Sequence, residues 1–406
     1  MAEMCRGKRA RSPSPPAPSL PSPPSPPPQP CPSPAAPATP LLPEPLLRPS
    51  SPSSANDIAA APPPRLPSGS PPLPSASPPL PSPPAFPLPL RHVCGPMVGA
   101  SDLAFRLLLR RHGAQLCYTE MLFAHRFLSD PSYREAKLRT TPADRPLVVQ
   151  FCATDAPTLA GAARLAAPQC DAIDLNLGCP LPSATQPPFG AALLAREHWP
   201  LVGAMVAALA GATPLPVFCK IRLLESVEAT VELARLLEAR GCRVLCVHGR
   251  AVPPPREHRA QRQWPADLDA IASVARAVRI PVLSNGNTRC GRDVQLNVDR
   301  TGAAGVMSAE GLLQNPLLFE KLDEPSPREL GEAALEYLRL AAEWPPGMRV
   351  VRSHIMWMLG KSGSAARAHF AHSGPFTSQQ LRLALLGAES VAQFEELVHL
   401  TLLSDG

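Results

Sequence analysis

The heptad Asp174-Leu175-Asn176-Leu177-Gly178-Cys179-Pro180 places a thiol directly after a short β-rich run. The residues up to Leu175 predict a strand, and the glycine and proline that follow predict a tight turn at its end. Such a turn can hold a side chain rigidly over a pocket. A cysteine by itself is more often a small buried hydrophobe than a catalyst. Cys179 becomes the candidate catalytic residue because other polar residues also follow predicted strands.

Strands and helices alternate along the middle of the chain. The predicted strands are residues 92–96, 114–119, 147–152, 172–177, 216–221, 244–248, 281–285 and 305–308, and the predicted helices between them include 101–112, 156–168, 198–210, 227–240 and 267–278. Eight such units over roughly 220 residues predict a (β/α)8 TIM barrel, an α/β fold. A doubly wound open sheet is the competing fold, but no GxGxxG motif follows the first strand.

Composition divides the chain into three segments. Residues 1–90 hold more than half of the 57 prolines, which predicts a disordered Pro/Ser-rich tail. Residues 91–323 form the predicted barrel, and residues 324–406 are a predicted helical domain that rests on it, with helices at 329–343, 350–361, 378–386 and 390–403. PxxP triplets in the tail also allow docking to SH3 or WW domains.

Charge and cysteine usage restrict the function classes. The 11 cysteines are scattered and form no two CxxC pairs, which favours a reduced intracellular protein without a zinc site. The chain has no apolar run of the ~20 residues that span a bilayer. A net charge of +6 permits a nucleic-acid partner. Lys8, Arg9 and Arg11 are compatible with a nuclear or mitochondrial signal or a solvated tail, and we expect a cytoplasmic or nuclear protein with no membrane contact.

Active sites of such barrels lie at the carboxyl ends of the strands. The candidate residues at these ends are Pro96, Met97, Val98, Gln150, Asn176, Cys179, Lys220, Arg222, His248, Arg250, Asn285, Gly286, Asn287, Ala309 and Glu310. The loops after strands seven and eight commonly bind phosphate through backbone N–H groups. Gly286 and Gly311 would let the backbone approach a phosphate there.

The motifs at these strand ends resemble those of the tRNA-dihydrouridine synthases. DLNLGCP, GPM, VVQF, CKIR, VHGR, SNGN and GVMSAEG occur in the order and spacing of that family. RRHGAQLCYTEML, DRPLVVQFCA and NPLLFE are most similar to the eukaryotic dihydrouridine synthase 1-like branch. The resemblance covers residues 93–319 and extends to 351–354.

The resemblance implies an FMN-dependent reduction of uridine to 5,6-dihydrouridine in tRNA. FMN, reduced by NADPH or NADH, would deliver hydride to C6, and Cys179 would protonate C5. The chemistry is consistent, because hydride addition to uracil leaves an enolate that a protonated thiol can quench. The base must leave its stack to enter a barrel mouth, so a tRNA loop is the natural substrate. The branch resembled acts on the D-loop, around positions 16 and 17.

Individual residues take their expected roles from this resemblance. Gln150 and Lys220 would donate to the flavin carbonyls and the N1 region, where a cation stabilises the reduced ring. The flanking Gly249-Arg250 favour a cofactor-facing role for His248, with a packed strand-end histidine as the alternative. The expected substrate contacts are Asn176, Arg222, Arg250, Arg352 and His354, with solvated surface roles as the alternative for the arginines and for His354.

Two alternative functions stay open at this level. One is a flavin oxidoreductase acting on a free pyrimidine. The other is a tRNA-binding or scaffold paralogue with impaired catalysis. The second is favoured by two unusual loops, one with Gln186-Pro187-Pro188 after Cys179 and one with three consecutive prolines at 253–255. Intact Cys179, Lys220 and His248 favour the enzyme.

Overall fold

The computed structural model describes residues 86–180, 188–254, 264–359 and 377–400. Residues 1–85 lie outside these ranges, so the disordered tail and its SH3 or WW docking stay predictions. Most of the unusual loop after Cys179 and most of the loop containing the three prolines also lie outside them. The same holds for the predicted helix ends at 361 and 403.

A parallel sheet closed into a ring forms the centre of the fold. Its nine strands are β1 His92–Cys94, β2 Leu116–Tyr118, β3 Leu122–Phe123, β4 Leu147–Cys152, β5 Ala172–Leu177, β6 Val217–Leu223, β7 Cys242–Ala251, β8 Val282–Asn285 and β9 Gly305–Ser308. Neighbouring strands pair in parallel, β1 pairs with β9, and β2 pairs with β4. The ring therefore closes with eight strands, and the two-residue β3 pairs with the end of β4. The predicted (β/α)8 barrel is confirmed.

Helices cover the outside of the ring and continue beyond it. Their bounds are α1 Leu103–Arg111, α2 Ala124–Ser129, α3 Pro131–Lys137, α4 Ala156–Ala166, α5 Trp199–Ala212, α6 Val227–Ala239, α7 Leu268–Ala277, α8 Gly291–Thr301, α9 Glu310–Gln314, α10 Pro327–Glu343, α11 Met348–Met358, α12 Ser378–Gly387 and α13 Val391–Val398. Asp102, Asp155, Ser226 and Asp267 begin α1, α4, α6 and α7 by accepting a backbone N–H bond. These caps satisfy donors that the first helical turn leaves without partners.

Among the described residues of the barrel, four helices were not named in the sequence prediction: α2, α3, α8 and the five-residue α9. Helices α2 and α3 are short and are separated by Asp130, the residue that precedes Pro131, so neither shows a long apolar period. Helix α8 buries only Val294, Asn297 and Thr301, two of which are polar. A weak apolar pattern of this kind does not identify a helix in a sequence.

The barrel interior is filled by one layer of apolar side chains at its amino end. Val93, Leu116, Val148, Ala172, Phe218, Val244, Leu283 and Met307 belong to this interior cluster, together with Tyr118, Cys246 and Leu90. The alternate residues of the same strands, such as Ile173 and Leu175 on β5, pack outward against the helices. This alternation follows from the two-residue period of a strand.

The segment just before β1 contributes to that interior cluster. Phe86 and Leu88 pack against it, and Leu90 is 8% exposed. The Phe86 ring lies 5.9 Å from the Phe218 ring. A Cβ atom at Gly305 would lie 1.8 Å from the Leu90 carbonyl oxygen, so the segment passes against β9 where only glycine fits. The predicted boundary of the tail at residue 90 is therefore wrong, because residues 86–90 belong to the packed fold.

The carboxyl-terminal helices share an apolar core with the barrel. Residues of α1, including Phe105 and Leu108, form one cluster with residues of α10 to α13. Phe105 meets Tyr337 of α10 edge-on at 6.1 Å, and the His354 ring of α11 stacks on Phe105 at 4.1 Å. The helices therefore rest on the barrel, as predicted, and the predicted boundary at 323/324 marks a change of secondary structure and not a break in the packing.

Candidate active site

Polar side chains continue the inward-facing rows of the barrel toward its carboxyl end. Five interior apolar residues are each followed, two positions later, by a polar one: Gln150 follows Val148, Asp174 follows Ala172, Lys220 follows Phe218, His248 follows Cys246 and Asn285 follows Leu283. Because residues two apart on a strand face the same side, these polar groups all point into the barrel. The structure thus brings together the strand-end residues that the sequence predicted.

The turn that carries Cys179 is held by the Asn176 side chain. Asn176 is 7% exposed, and its Oδ1 accepts hydrogen bonds from the backbone N–H groups of Gly178, at 3.1 Å, and Cys179, at 2.9 Å. Arg222 fixes the same turn from β6, since its Nε donates to the Gly178 carbonyl oxygen at 2.7 Å. Asn176 and Arg222, predicted as substrate contacts, therefore both orient the thiol-bearing turn.

The half-buried Cys179 side chain packs beside a small apolar cluster. Met121, Cys152 and Phe189 form this cluster, and Phe123 also packs against it. Burial raises the pKa of the Cys152 thiol to about 12, with a further contribution from Cys179. The Cys152 thiol therefore stays protonated at neutral pH. Because Cys152 is buried and Cys179 is half-buried, Cys179 has the more accessible sulfur atom.

A buried carboxylate that the sequence prediction missed lies below this turn. Asp174 is 0% exposed, and its Oδ1 accepts from Gln150 Nε2 at 2.8 Å. Burial raises the pKa of Asp174 to about 7, opposed by hydrogen bonds from Gln150 and Tyr118 and by the charge of Lys220. The signal was present in the sequence, because Asp174 shares the face of Asn176 on β5.

Four basic side chains converge at the ends of β6 and β7. Lys220 and Arg222 stand on β6, and His248 and Arg250 stand on β7. Burial lowers the pKa of Arg222 to about 10, and the charge of Arg250 lowers it further. Burial also lowers the pKa of Lys220, with a further contribution from Arg222. Mutually repelling cations of this kind form a site that is stabilised by a bound anion.

His248 is neutral, and its tautomer is set by Arg250. Burial lowers the pKa of His248 well below 6.5, and the charges of Lys220, Arg222 and Arg250 add to this effect. The Nη1 atom of Arg250 lies 2.8 Å from His248 Nε2. Because a guanidinium only donates, Nε2 must accept and the proton must be on Nδ1. His248 therefore presents one N–H donor from Nδ1.

The loop after β1 has a rigid backbone and an exposed tip. The Met97 carbonyl oxygen accepts from Ala100 and Ser101 N–H groups, both at 3.0 Å, and the Met97 N–H donates to Ser101 Oγ at 2.9 Å. Pro96 and Met97 are partly buried, whereas Val98 is 65% exposed. This loop leaves an apolar side chain exposed beside the end of the first strand.

The loops after β8 and β9 use their polar side chains to hold one another. Asn285 Nδ2 donates to the Met307 carbonyl oxygen at 2.9 Å, and Asn287 binds both backbone polar groups of Ala266, at 2.8 and 3.1 Å. Ala309 precedes α9, whose first residue is Glu310. The predicted phosphate contacts here would thus come from backbone N–H groups. A Cβ at Gly311 would lie 2.3 Å from the Thr288 carbonyl oxygen, so protein packing already requires this glycine.

The two predicted substrate contacts on α11 have structural partners. His354 is 0% exposed, and its Nε2 lies 2.8 Å from Asp102 Oδ2. The predicted substrate contact of His354 is therefore wrong, because a side chain enclosed between Phe105 and Tyr337 cannot reach a ligand. Arg352 is partly exposed, and its Nη2 donates to the Ala388 carbonyl oxygen at 2.7 Å.

Two kinds of feature are absent from the described residues. Within the described ranges, no group of three or more His, Cys, Asp and Glu side chains is arranged to hold a metal ion. Among the same residues, no helix is both long enough and apolar enough to cross a bilayer.

Comparison with known proteins identifies the family. The family model "Dihydrouridine synthase (Dus)" matches residues 93–375. A Rattus norvegicus protein named tRNA-dihydrouridine(16/17) synthase [NAD(P)(+)]-like is 46% identical over 267 residues, which cover 65% of this chain and 59% of the relative. The chain thus spans less than two thirds of that relative.

Two further relatives match this chain at lower identity over a similar number of residues. The Schizosaccharomyces pombe tRNA-dihydrouridine(16/17) synthase [NAD(P)(+)] is 34% identical over 262 residues, covering 63% of this chain and 64% of the relative. A Mus musculus tRNA-dihydrouridine(20a/20b) synthase [NAD(P)+]-like protein is 35% identical over 272 residues, covering 66% of this chain and 80% of the relative.

Proposed function

The chain belongs to the dihydrouridine synthase family, and from this membership we propose that it reduces uridine to 5,6-dihydrouridine in tRNA. One observation carries the proposal. Inside one barrel mouth, a thiol-bearing turn fixed by Asn176 meets a cluster of buried basic groups, and Arg222 of that cluster donates to the turn. A proton donor beside an anion-binding site is the arrangement that reduction of a conjugated base requires.

The donor set of the barrel mouth fits FMN as the cofactor. Lys220 supplies a cation on the inner face of β6, and His248 supplies the N–H of Nδ1. Gln150 Nε2 gives one hydrogen to Asp174, so its second hydrogen points elsewhere and is the one available to a flavin carbonyl. Arg250 and the backbone of the β8 and β9 loops would hold the phosphate. Bound FMN, reduced by NADPH or NADH, supplies the hydride for C6 of uracil.

The protein itself supplies orientation and a proton. Lys220 and His248 place positive charge and a hydrogen-bond donor beside the reacting ring system, which stabilises negative charge as it develops. Cys179 donates the thiol proton to C5 of the uracil, and solvent restores that proton afterwards. Asn176 and Arg222 both bind the peptide group that joins Gly178 to Cys179, which restricts the positions that the thiol can take.

The modified positions are proposed to be 16 and 17 of the D-loop. Support comes from identity, which is 46% to the rat relative named for positions 16/17 and 35% to the mouse relative named for 20a/20b. The yeast protein named for 16/17 is 34% identical, so the argument depends on the first comparison.

The proposed macromolecular partner is tRNA, bound in the cytoplasm or nucleus. The net charge of +6 favours a polyanion, and Arg339 and Arg349 are exposed on α10 and α11. The target base must be extruded from its stack to reach the thiol at the end of β5. Basic side chains on the helices beside the barrel would bind the phosphates that flank the extruded base.

The purified full-length chain with FMN, NADPH and unmodified tRNA transcripts tests the proposal. We expect dihydrouridine at positions 16 or 17, mapped by nuclease digestion and mass spectrometry, and none when both uridines are replaced by cytidine. Dihydrouridine at 20a or 20b alone would refute the positions and keep the reaction. Reduction of free uridine but not of tRNA would establish the alternative oxidoreductase. Bound FMN without any reduction would establish the impaired paralogue.

A further inference from the structure

One chain of hydrogen bonds runs from the barrel interior to the Cys179 turn. The backbone N–H groups of Gly178 and Cys179 donate to Asn176 Oδ1. Asn176 Nδ2 donates to Gln150 Oε1 at 2.8 Å, and Gln150 Nε2 donates to Asp174 Oδ1 at 2.8 Å. Five residues from two neighbouring strands and the turn after β5 therefore share one set of bonds.

The direction of every bond in this chain is fixed from its upper end. Backbone N–H groups can only donate, so Asn176 must present its oxygen to the turn and its NH2 group to Gln150. Gln150 must therefore present its oxygen to Asn176 and its NH2 group to Asp174, and a carboxyl oxygen accepts this bond in either protonation state. The acceptor at the lower end matches this direction and holds the Gln150 amide in it.

The burial of Asp174 among apolar side chains indicates that a hydrogen-bond acceptor is needed at this position. The carboxylate is completely buried in the barrel, where Tyr118 Oη at 3.5 Å is a distant second donor. A buried carboxylate is costly to stability unless it is well paired. Apolar neighbours such as Val148, Ala172 and Phe218 fill the same interior, so packing alone would favour an apolar residue at this position.

We propose that Asp174 is a positioning residue for the reaction at Cys179. Its carboxylate orients the Gln150 amide, Gln150 orients the Asn176 amide, and Asn176 holds the backbone of the thiol-bearing turn. Asp174 itself does not touch the substrate. The inference rests on the proposed function for its catalytic consequence, but the positioning of Cys179 can be measured without turnover.

Exchange of the two groups at positions 150 and 174 tests the direction of the bonds. In Gln150→Glu, the amide group that donates to Asp174 across the 2.8 Å contact is replaced by a second carboxyl group, so Asp174 loses this amide donor. In Asp174→Ala, Gln150 loses its acceptor. In the double variant Asp174→Asn with Gln150→Glu, the new glutamate accepts from Asn176 and from the new asparagine. The double variant keeps the total charge and restores an acceptor for Asn176.

The first readout is the alkylation rate of Cys179 by iodoacetamide, followed by peptide mass spectrometry to separate it from the other cysteines. Asp174→Ala and Gln150→Glu should raise this rate because the turn loosens, and the double variant should return it toward wild type. Asp144→Asn is the matched control. Asp144 is also 0% exposed but binds Arg106 and Arg110, so this variant should lose stability and leave the Cys179 rate unchanged.

The second readout is turnover on tRNA at saturating FMN. Asp174→Ala should lower kcat by roughly 10²-fold, the cost of misplacing a reacting group by about 1 Å, with little change in KM. Unchanged alkylation and unchanged kcat in a folded Asp174→Ala protein would overturn the proposal, and so would a double variant no better than the singles in alkylation. If the wild-type protein modifies no tRNA, the proposed function fails, while the alkylation series still decides the positioning role.

Discussion

At the scale of single residues, the Cys179 thiol combines two unlike surroundings. It packs against the apolar cluster of Met121, Cys152 and Phe189, and it lies close enough to Lys220 and Arg222 to affect their pKa values. Apolar walls can stack against a flat base, and nearby cations stabilise an enolate as it forms. The surroundings of the Cys179 thiol therefore suit both the proposed binding of uracil and its proposed protonation.

Replacement of Cys179 should separate flavin chemistry from tRNA chemistry. Cys179→Ala should bind FMN and accept electrons from NADPH like the wild type, because the thiol is not among the proposed cofactor contacts. Dihydrouridine formation should fall by roughly 10²–10⁴-fold, the usual cost of losing a general acid. Cys290→Ala is the control, since Cys290 is also half-buried but caps α8. Near wild-type turnover by Cys179→Ala would remove Cys179 from the mechanism.

Asp174 should make stability depend on pH in a defined window. Its folded pKa of about 7 lies above the ordinary value of 3.8, so from pH 4 to 7 the folded protein retains a proton that the unfolded chain has lost. This contribution to stability therefore decreases as pH rises through the window, by an upper bound of about 4 kcal/mol at roughly 1.4 kcal/mol per pKa unit.

Asp174→Asn removes this titration and provides the measurement. The free energy of unfolding of Asp174→Asn, minus that of the wild type, should increase between pH 4 and pH 8. The variant thus becomes more stable relative to wild type as pH rises. Urea denaturation of both proteins at pH 4, 6 and 8 measures this difference. A difference that stays constant with pH would mean that Asp174 titrates normally in the folded protein. A variant that is stable at pH 8 and yet slow in turnover would match a residue retained for positioning.

At the scale of elements, α1 links the barrel to the carboxyl-terminal helices. Asp102 caps α1 through Oδ1, which accepts from the Phe105 N–H at 3.1 Å, while Oδ2 lies 2.8 Å from His354 Nε2 on α11. The Asp102 carboxylate thus caps α1 of the barrel and also binds α11 of the carboxyl-terminal helices.

Removal of the His354 ring tests whether the two regions unfold together. His354→Ala deletes the stack on Phe105 and the bond to Asp102, and should lower the free energy of unfolding by about 2–4 kcal/mol. Because the core is shared, barrel and helices should still unfold in one transition. Flavin fluorescence and far-ultraviolet circular dichroism in the same denaturant series check this. Two separate midpoints would show independent domains, and Arg349→Ala, an exposed neighbour, is the control.

At the scale of the whole molecule, the amino-terminal end of the barrel is closed by the chain itself. Phe86, Leu88 and Leu90 cover the interior layer, opposite the end that carries the site. Apolar burial at this end stabilises the ring, and the carboxyl end remains available for polar groups. This separation of a stabilising end from a reactive end is the usual division in TIM barrels.

Two truncations distinguish the tail from the segment that closes the barrel. Deletion of residues 1–85 should leave the melting temperature nearly unchanged, because a Pro/Ser-rich segment cannot supply a core. Deletion of residues 1–90 should lower the free energy of unfolding by on the order of 2–5 kcal/mol, since Phe86, Leu88 and Leu90 are lost. Differential scanning fluorimetry with and without FMN measures both. Equal stability of the two truncated proteins would show that the segment is dispensable.

The class of fold and the main residues of the candidate site can be predicted from the order of residues along the chain. Strand and helix periods are local properties, so their alternation from residue 92 to 308 predicts the barrel without reference to distant contacts. Cys179, Lys220 and His248 follow predicted strands, and the barrel rule alone brings such residues together. Motifs with fixed spacing, such as DLNLGCP, identify the family for the same reason.

The partners of individual side chains could not be predicted without the folded structure. Asp174 lies in mid-strand and becomes part of the site because β4 and β5 pair with Gln150 opposite it. His354 has the sequence context of a surface residue but is buried, because α11 packs on α1. Residues 86–90 resemble the tail in composition, yet they fill the barrel because its amino end would otherwise expose apolar side chains to water. In each case, the decisive neighbour is distant in the chain, so its contribution appears only when the fold brings the two together.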